Sequence, residues 1–407
     1  MTQAPVPAQQ PRLRRRPGLF AGLPIGRVLL VEAVLLGIAA VLPRGPVVAG
    51  ITAFAGILVI VIALLRARGR WWLERRAMAG EFRRRRKAGP VPHSADGLPL
   101  VMLRTLAPGL TVRDVPGETA QDRPIGIGCD AAGWYAAVQL GGEASMSGDA
   151  AAGVPLDLLA KVLHNAADAG AVVQVSTVSV PAPWPQIDAA QFAARSYHEL
   201  HQLQTAPPVP AERTTWVAVR LDARTRAEAG LGGADDAERA PELVASLARK
   251  ASRLLRAAGL EHRILTAGEL VGALVRACEF DPAVPGYGHP GEPWRPREEW
   301  TAWRNGELSH NGLWLKTWPR LPETAALLER LLSLPAASCA ASLTLTRDGE
   351  GLAARCLVRV AATASALEPA VRAIEEAATA ANAELVRLDG EHGPAVYACA
   401  PTGGGAK

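Results

Sequence analysis

The fold is decided by residues 28–87, which read VLLVEAVLLGIAAVLPRGPVVAGITAFAGILVIVIALLRARGRWWLERRAMAGEFRRRRK. Two apolar runs flank a Pro-Arg-Gly-Pro turn, and an arginine-rich segment follows. The second run, 47–65, holds nineteen residues without a charge. At about 1.5 Å per residue it approaches the ~30 Å of a hydrocarbon core. The first run, 28–42, is shorter, but extension back to residue 19 supplies the missing length. The stretch therefore predicts a two-helix transmembrane hairpin with helices at 19–42 and 47–65.

Positive charge is concentrated at both ends of this hairpin. Residues 1–27 hold five Arg and no acid, whereas residues 66–87 hold nine Arg and one Lys. Lys and Arg resist translocation, so both termini and the large domain are predicted to be cytoplasmic, with the hairpin in the inner (plasma) membrane. A cleaved signal peptide is disfavoured because a second, longer apolar run follows the first.

The segment after the hairpin predicts contact with the membrane surface. Indole rings favour the headgroup layer, and each basic residue near anionic lipid contributes about 1 kcal/mol. Glu32 is a candidate intramembrane contact with another subunit, because a carboxylate inside a span usually faces protein or water. A position of Glu32 near the headgroups is the equal alternative. The predicted interface residues are Trp71, Trp72, Arg83, Arg84, Arg85, Arg86 and Lys87.

Charge and cysteine content narrow the function classes. Residues 1–87 hold 16 Lys and Arg against 3 Asp and Glu, so the rest of the chain holds 28 against 36 and carries a net charge of −8. A nucleic-acid role would therefore depend on the basic segment 83–87 alone, and lipid is the favoured partner. The five cysteines are odd in number and scattered without a C-x-x-C pair, which predicts neither a disulfide framework nor a zinc site.

Composition divides the chain into an anchor, two lobes and connecting segments. The predicted segments are a disordered basic N-terminus (1–18), the hairpin (19–65), a basic juxtamembrane helix with a linker (66–98), a first cytosolic lobe (99–279), an arm rich in Pro, Gly and Trp (280–311), a second cytosolic lobe (312–401) and a tail (402–407).

Both lobes show the order strand, helix, strand, strand, helix, strand, which is the split βαβ order of ferredoxin-like domains. The fold class predicted is thus a membrane-anchored α/β protein with two α+β lobes. Strands are also expected at 100–106, 123–129 and 393–400, and an inserted helix at 187–203. The repeated elements are 133–140, 155–169, 171–180, 214–221, 241–258 and 263–265 in the first lobe, and 313–318, 322–332, 338–346, 352–360, 367–381 and 384–388 in the second.

Catalytic motifs are sought and not found. The chain has no G-x-x-x-x-G-K-[ST] sequence, and its Gly-x-Gly at 126–128 lacks the third glycine of a dinucleotide fingerprint. His198 and His201 are three residues apart, whereas H-E-x-x-H requires four. Asp389, Glu391 and His392 alternate with glycines, which is typical of a turn. No catalytic residue, cofactor or metal is therefore predicted.

Several stretches resemble the EccE family of actinobacterial type VII (ESX) secretion systems. This resemblance implies a core subunit of an inner-membrane secretion complex that works beside a separate FtsK-like ATPase and other channel subunits. It carries no catalytic residues. The stretches are 123–130 (RPIGIGCD), 133–138 (GWYAAV), 173–178 (VQVSTV), 215–220 (TWVAVR) and 387–397 (RLDGEHGPAVY).

The leading functional hypothesis is a non-enzymatic scaffold of a type VII secretion complex. The alternative is a membrane-anchored enzyme that acts on a nucleotide or lipid-linked substrate, since fold alone does not exclude catalysis. Its candidate residues are His198, His201, Asp389, Glu391 and His392. Nucleic-acid binding through residues 83–87 is a weaker third hypothesis.

Overall fold

The chain forms two compact units, residues 14–89 and a larger unit that contains residues 90–407. Each unit is described by itself below. A computed structural model of the protein describes residues 19–20, 23–41, 45–64, 66–67, 70–87, 98–117, 119, 122–141, 154–164, 170–181, 211–230, 233–280, 296–334, 336–348 and 351–404.

The small unit is a pair of helices followed by a third. The first two pack closely at Gly56, where an added Cβ would lie 2.7 Å from Val34 Cγ1. Gly50, in contrast, has open space at its Cβ position. Its elements are β1 (Leu19–Phe20), β2 (Leu23–Pro24), α1 (Ile25–Val41), α2 (Pro46–Leu64), β3 (Arg66–Ala67), β4 (Arg70–Trp71) and α3 (Trp72–Lys87).

The predicted transmembrane hairpin is wrong. None of the helices that the structure describes combines the length and the apolar character needed to cross a membrane. The first helix begins at Ile25 and not at residue 19, because β1 and β2 pair as an antiparallel hairpin in front of it. The backward extension that the prediction needed is therefore not helical. Residues 43 and 44 of the predicted turn at 43–46 lie outside the described residues, and α2 begins at Pro46.

The large unit is built on one antiparallel sheet with helices on both faces. Its helices are α4 (Leu98–Arg104), α5 (Leu156–His164), α6 (Ala223–Glu228), α7 (Ala234–Ala257), α8 (Ala267–Ala277), α9 (Leu321–Leu332), α10 (Leu367–Ala380) and α11 (His392–Cys399). Its strands are β5 (Thr111–Val115), β6 (Ile125–Asp130), β7 (Gly133–Leu140), β8 (Ala171–Pro181), β9 (Ala211–Asp222), β10 (His262–Ile264), β11 (Arg297–Glu298), β12 (Trp303–Asn305), β13 (Leu308–Thr317), β14 (Ser338–Asp348), β15 (Gly351–Thr363) and β16 (Glu384–Arg387).

The same motif occurs twice in this sheet. In the first half, β7-α5-β8-β9-α7-β10 gives the spatial strand order β10-β7-β9-β8. In the second half, β13-α9-β14-β15-α10-β16 gives β16-β13-β15-β14. Each order places the fourth strand beside the first and the third between the first and second. This is the ferredoxin-like arrangement that the order of the elements indicates.

The two halves share one continuous sheet. Strands β8 and β14 pair antiparallel, with Val175 opposite Leu343. The repeat also extends beyond the motif, because a hairpin precedes each first strand (β5-β6 and β11-β12) and a helix follows each fourth strand (α8 and α11). Antiparallel pairing of two equivalent strands relates the halves by an approximate two-fold axis.

Side chains alternate between the two faces of the sheet, as the pleat requires. On β9, Val217 and Val219 face α7, whereas Trp216 and Arg220 face the opposite side. Helices α5 and α7 cover the first face in one half, and α9 and α10 cover it in the other. The opposite face lies under α4, α8 and α11, and its core contains residues of both halves.

Three further predictions are corrected. Residues 100–106 belong mainly to helix α4, and residues 393–400 lie mainly in helix α11. Both are short apolar runs, and periodicity does not separate such a helix from a strand. The predicted arm, 280–311, contains β11, β12 and the start of β13. The predicted inserted helix at 187–203 lies outside the described residues.

Gly312 sets the distance between α11 and β13. A Cβ at this position would lie 2.6 Å from the Cβ of Ala395 on α11. We expect Gly312→Ala to lower the free energy of unfolding by about 1–3 kcal/mol, because the helix must move off the sheet. Gly268→Ala is the control, since Gly268 lies in α8 with nothing within 4 Å of an added Cβ. Equal effects of the two substitutions in chemical denaturation would contradict this account.

Candidate functional site

Polar side chains are buried on the sheet face that the two halves share. They form two clusters around two arginines, one on β9 and one on β15. The Arg220 cluster consists of Asp130, Tyr135, Gln174, Ser176, Arg220, Ser342, Tyr397 and Thr402, and the Arg359 cluster consists of Glu279, His310, Ser338 and Arg359.

Arg220 is held by two groups that are distant in sequence. Its side chain is 1% exposed, and its Nη2 forms an ion pair with Asp130 at the end of β6. Its Nη1 donates to the carbonyl oxygen of Thr402 at 2.6 Å. Burial is the largest effect and opposes the positive charge, but the Asp130 carboxylate and the phenols of Tyr397 and Tyr135 together outweigh it, so the pKa of Arg220 is raised. The guanidinium therefore stays charged.

Asp130 also orders two tyrosines and a turn. Its Oδ1 accepts from the backbone amide of Ala132 at 2.8 Å, which fixes the turn between β6 and β7. The hydroxyl of Tyr397 donates to Oδ2 at 3.0 Å. Because the Tyr397 hydroxyl proton is donated to Asp130, the hydroxyl of Tyr135 must donate to the hydroxyl oxygen of Tyr397, 3.0 Å away. Burial, together with the charge of Asp130, raises the pKa of both phenols, so both remain neutral.

Polar residues of the central strands hold the end of α11 on the sheet. Gln174 Nε2 donates to the carbonyl oxygen of Ala398 at 2.7 Å, and its Oε1 accepts from the amide of Gly403 at 2.7 Å. The Ser176 hydroxyl donates to the carbonyl of Cys399. The predicted tail, 402–407, thus begins as a buried segment, since Thr402 is 0% exposed.

Arg359 repeats the arrangement of Arg220 in the other half. Its side chain is 0% exposed, and its Nη2 lies 2.9 Å from Glu279 Oε1. Its Nη1 donates to the carbonyl oxygen of Ala277 at 2.6 Å. The hydroxyl of Ser338 donates to the same Glu279 carboxylate.

The two arginines cross between the halves in opposite directions. Arg220, in the first half, binds the chain that follows α11 of the second half. Arg359, in the second half, binds the end of α8 in the first half. Since α8 and α11 are equivalent helices of the repeat, each half holds the terminal helix of the other. The network therefore locks the two halves into one body.

His310 lies beside the Arg359 cluster as a neutral imidazole. It is 0% exposed, and its ring packs edge-on against Trp303 with centroids 4.9 Å apart. Its Nε2 is 3.9 Å from Glu279 Oε2. Burial, and then the charge of Arg359, lower its pKa well below the ordinary value of 6.5.

This burial predicts a loss of stability in mild acid. Above pH 6.5, His310 is neutral in both the folded and the unfolded state. Below that pH the unfolded chain binds a proton that the folded protein rejects, so the free energy of unfolding falls by up to about 1.4 kcal/mol per pH unit. We expect the free energy of unfolding of His310→Leu to decline less steeply with falling pH than that of the parent protein, between pH 6.5 and the lower pKa of His310 in the folded state. Parallel curves in denaturant titrations would contradict the assignment.

The cysteines are not suited to act as nucleophiles. The five cysteines are free thiols, and burial raises the pKa of Cys278, Cys339 and Cys356 to about 12. Burial likewise raises the pKa of Cys129 and Cys399 to about 11. Such thiols remain protonated and are poor nucleophiles. Among the described residues, no group of three or more His, Cys, Asp or Glu side chains could hold a metal ion.

Two residues of the enzymatic alternative, Glu391 and His392, are buried. His392 is 0% exposed at the start of α11, and its Nδ1 accepts from the amide of Gly312 at 3.1 Å. Its Nε2 lies 3.9 Å from Asp389 Oδ1, and Glu391 is 6% exposed. His198 and His201 lie outside the described residues. The imidazole of His392 thus joins α11 to β13.

The predicted interface residues lie in the small unit. Arg83, Arg84 and Arg86 are exposed on α3, and the guanidinium of Arg86 lies 5.7 Å from the centroid of the Phe82 ring. Trp72 begins this helix and Lys87 ends it, whereas Trp71 ends β4. Arg85 is half-buried, and Glu32 is exposed on α1.

Sequence reasoning missed the buried network, although a signal was present. Five stretches carry the family resemblance, and each contributes a residue to the Arg220 cluster. Asp130 comes from 123–130, Tyr135 from 133–138, Gln174 from 173–178, Arg220 from 215–220 and Tyr397 from 387–397.

Comparison with known protein families gives a match in the middle of the chain. Residues 209–315 match the family model described as "Putative type VII ESX secretion system translocon, EccE". The matched segment runs from β9 to β13 and includes Arg220, Glu279 and His310. Comparison with curated proteins gives no match. The resemblance to the EccE family is therefore confirmed over residues 209–315.

Proposed function

We propose that the protein is a non-enzymatic structural component of a type VII secretion complex. The observation that carries the proposal is the match of residues 209–315 to a family described as a translocon of that system. The matched segment runs from the end of the first half into the second, and it contains Arg220 and Glu279, which are buried where the halves contact each other. A body locked together at this junction suits a part that holds other subunits in fixed positions.

The burial of the polar groups supports a structural role. Arg220 and Arg359 are both ion-paired and hydrogen-bonded to backbone carbonyls inside the protein. A catalytic group must reach its substrate within hydrogen-bonding distance, and these side chains are 0–1% exposed. The enclosed His392 gives no support to the alternative of a membrane-anchored enzyme.

The complex would hold this protein at the cytoplasmic face of the inner membrane. The exposed arginines of α3 suit anionic lipid headgroups, which attract basic residues at about 1 kcal/mol each near the surface. Trp71 and Trp72 would add contacts at the same depth.

Helices α1 and α2 would contact other subunits of the complex. Large apolar side chains such as Leu36, Ile51 and Phe54 are more than half exposed on them. Exposed apolar surface of this extent marks interaction sites. Glu32, exposed on α1, would be a polar contact within that interface, and a separate FtsK-like ATPase is one expected member of the assembly.

Deletion of the gene tests the proposal. We expect secretion by the type VII system to fail and to be restored by the parent gene. Native electrophoresis of detergent extracts should place the protein in a large multi-subunit complex. Asp389→Asn and Glu391→Gln separate the two hypotheses, because a scaffold should keep secretion with both variants. The proposal would be overturned if secretion stayed intact after deletion and if the protein from the parent strain migrated alone in native electrophoresis.

A further inference from the structure

Helix α7 carries opposite charges on its two ends. Residues 234–245 have a net charge of −3, and residues 246–257 have a net charge of +4 without a single acid. The charged residues of the first half are Asp235, Asp236, Glu238, Arg239 and Glu242, and those of the second half are Arg249, Lys250, Arg253 and Arg256.

Much of this charge faces solvent. The opposite side of α7 is buried in the core through residues such as Val244, Ala248 and Leu255. Ser246, at the midpoint of the outer face, is exposed, and the neighbouring Leu243 is 41% exposed. Leu243 is one of few large apolar side chains exposed in the described part of the large unit.

The outer charges have few partners within the protein. Among the described residues, no ion pair involves Glu238, Glu242, Arg253 or Arg256, whereas Asp236 lies 3.5 Å from Arg226. Lys250 and Arg249 are half-buried and donate to the carbonyl oxygens of Val162 and Pro116. Two exposed acids near the start of α7, Glu238 and Glu242, and two exposed arginines near its end, Arg253 and Arg256, therefore make no ion pair among the described residues.

The fold position does not require this segregation. The equivalent helix of the second half is α10, where Glu368 and Glu375 are both paired with Arg387. Acidic residues lie on both sides of Arg372 along this helix, so its charges are not segregated. The separated charges of α7 therefore call for another explanation.

We propose that α7 is a docking surface for a second copy of this chain. Two copies of α7 lie antiparallel about Ser246, so the acidic half of each faces the basic half of the other. A two-fold interface of this kind is self-complementary, and every favourable pair occurs twice. Leu243, close to the midpoint, becomes covered by the partner. Because the pairs are exposed at the rim, salt weakens the association.

Sedimentation velocity of the full chain in detergent tests the proposal. We expect a dimer whose dissociation constant rises at least ~10-fold between about 50 mM and about 500 mM NaCl, as screening shortens the range of the charges. Arg253→Glu with Arg256→Glu lowers the net charge of residues 246–257 from +4 to 0, so α7 as a whole becomes acidic. Glu238→Lys with Glu242→Lys raises the net charge of residues 234–245 from −3 to +1, so α7 as a whole becomes more basic. Each double variant should fail to self-associate.

The decisive experiment mixes the two double variants. Their equimolar mixture should form a heterodimer, because an acidic α7 then meets a basic one. Arg372→Glu, an exposed charge reversal on α10, is the matched control and should leave the association unchanged. A parent protein that stays monomeric at low salt would overturn the proposal. So would association that persists in each double variant, since it would then use another surface such as α1 and α2.

Discussion

Replacing Glu279 by glutamine should lower the free energy of unfolding by about 3–5 kcal/mol, because Arg359 would remain buried without a counter-charge. Glutamine keeps the size of the side chain and its hydrogen-bonding oxygen. The change therefore removes the charge and little else. Glu279 has a φ of 57°, but glutamine adopts this conformation as readily as glutamate does, so backbone strain does not confuse the result.

Two comparisons make the measurement specific. Glu329→Gln removes a carboxylate that is 52% exposed and pairs with Arg213 at 2.6 Å, so it should cost less than about 1 kcal/mol. Glu279→Gln combined with Arg359→Met removes both charges and should recover part of the loss. Chemical denaturation at neutral pH gives all three values. A loss for Glu279→Gln no larger than that for Glu329→Gln would show that the pair is not buried as described.

Truncation after Cys399 should destabilise the first half of the sheet, although it removes residues of the second half. It deletes the carbonyl of Thr402 that binds Arg220 and the amide of Gly403 that binds Gln174. Each of these two buried groups left without a partner costs about 1–3 kcal/mol, so we expect a total loss of about 2–6 kcal/mol. Denaturant unfolding of the full chain and the truncated chain measures it.

A shorter truncation serves as the control. Removal of residues 405–407 leaves Thr402 and Gly403 in place, and the free energy of unfolding should not change by more than about 0.5 kcal/mol. Hydrogen exchange adds a local readout, since β8 and β9 should lose protection only in the longer truncation. Equal stability of the two truncated proteins would contradict the proposed link between the halves.

Local patterns determined most elements of the large unit. Apolar residues at helical spacing predict α5, α7, α9 and α10, because each of these helices buries one side and exposes the other. Alternating or β-branched runs predict β8, β9, β14 and β15 for the same local reason. Short apolar runs carry no clear period, so the strands predicted at 100–106 and 393–400 are wrong, and both segments are mainly helical.

Contacts between distant segments had no local signal. Asp130 and Arg220 are 90 residues apart, and Glu279 and Arg359 are 80 apart. From the sequence, each of these four charged residues is predicted to lie on the surface, because charged residues are almost never fully buried unless they are paired. Only the fold brings the partners together, and only then does the burial of His310 between Trp303 and Glu279 become visible.

The sequence by itself determined the repeated order of strands and helices, the family resemblance and the separation of a basic N-terminal segment from an acidic body. These properties depend on composition and on spacing within short windows. The tertiary structure alone decided that β8 and β14 join the two repeats into one sheet, and that two buried arginines fasten each repeat to the terminal helix of the other. It also contains, among the described residues, no helix that is both long and apolar enough to cross a membrane. Pairing between strands and burial of charge depend on which distant residues meet, and no short window of sequence contains that information.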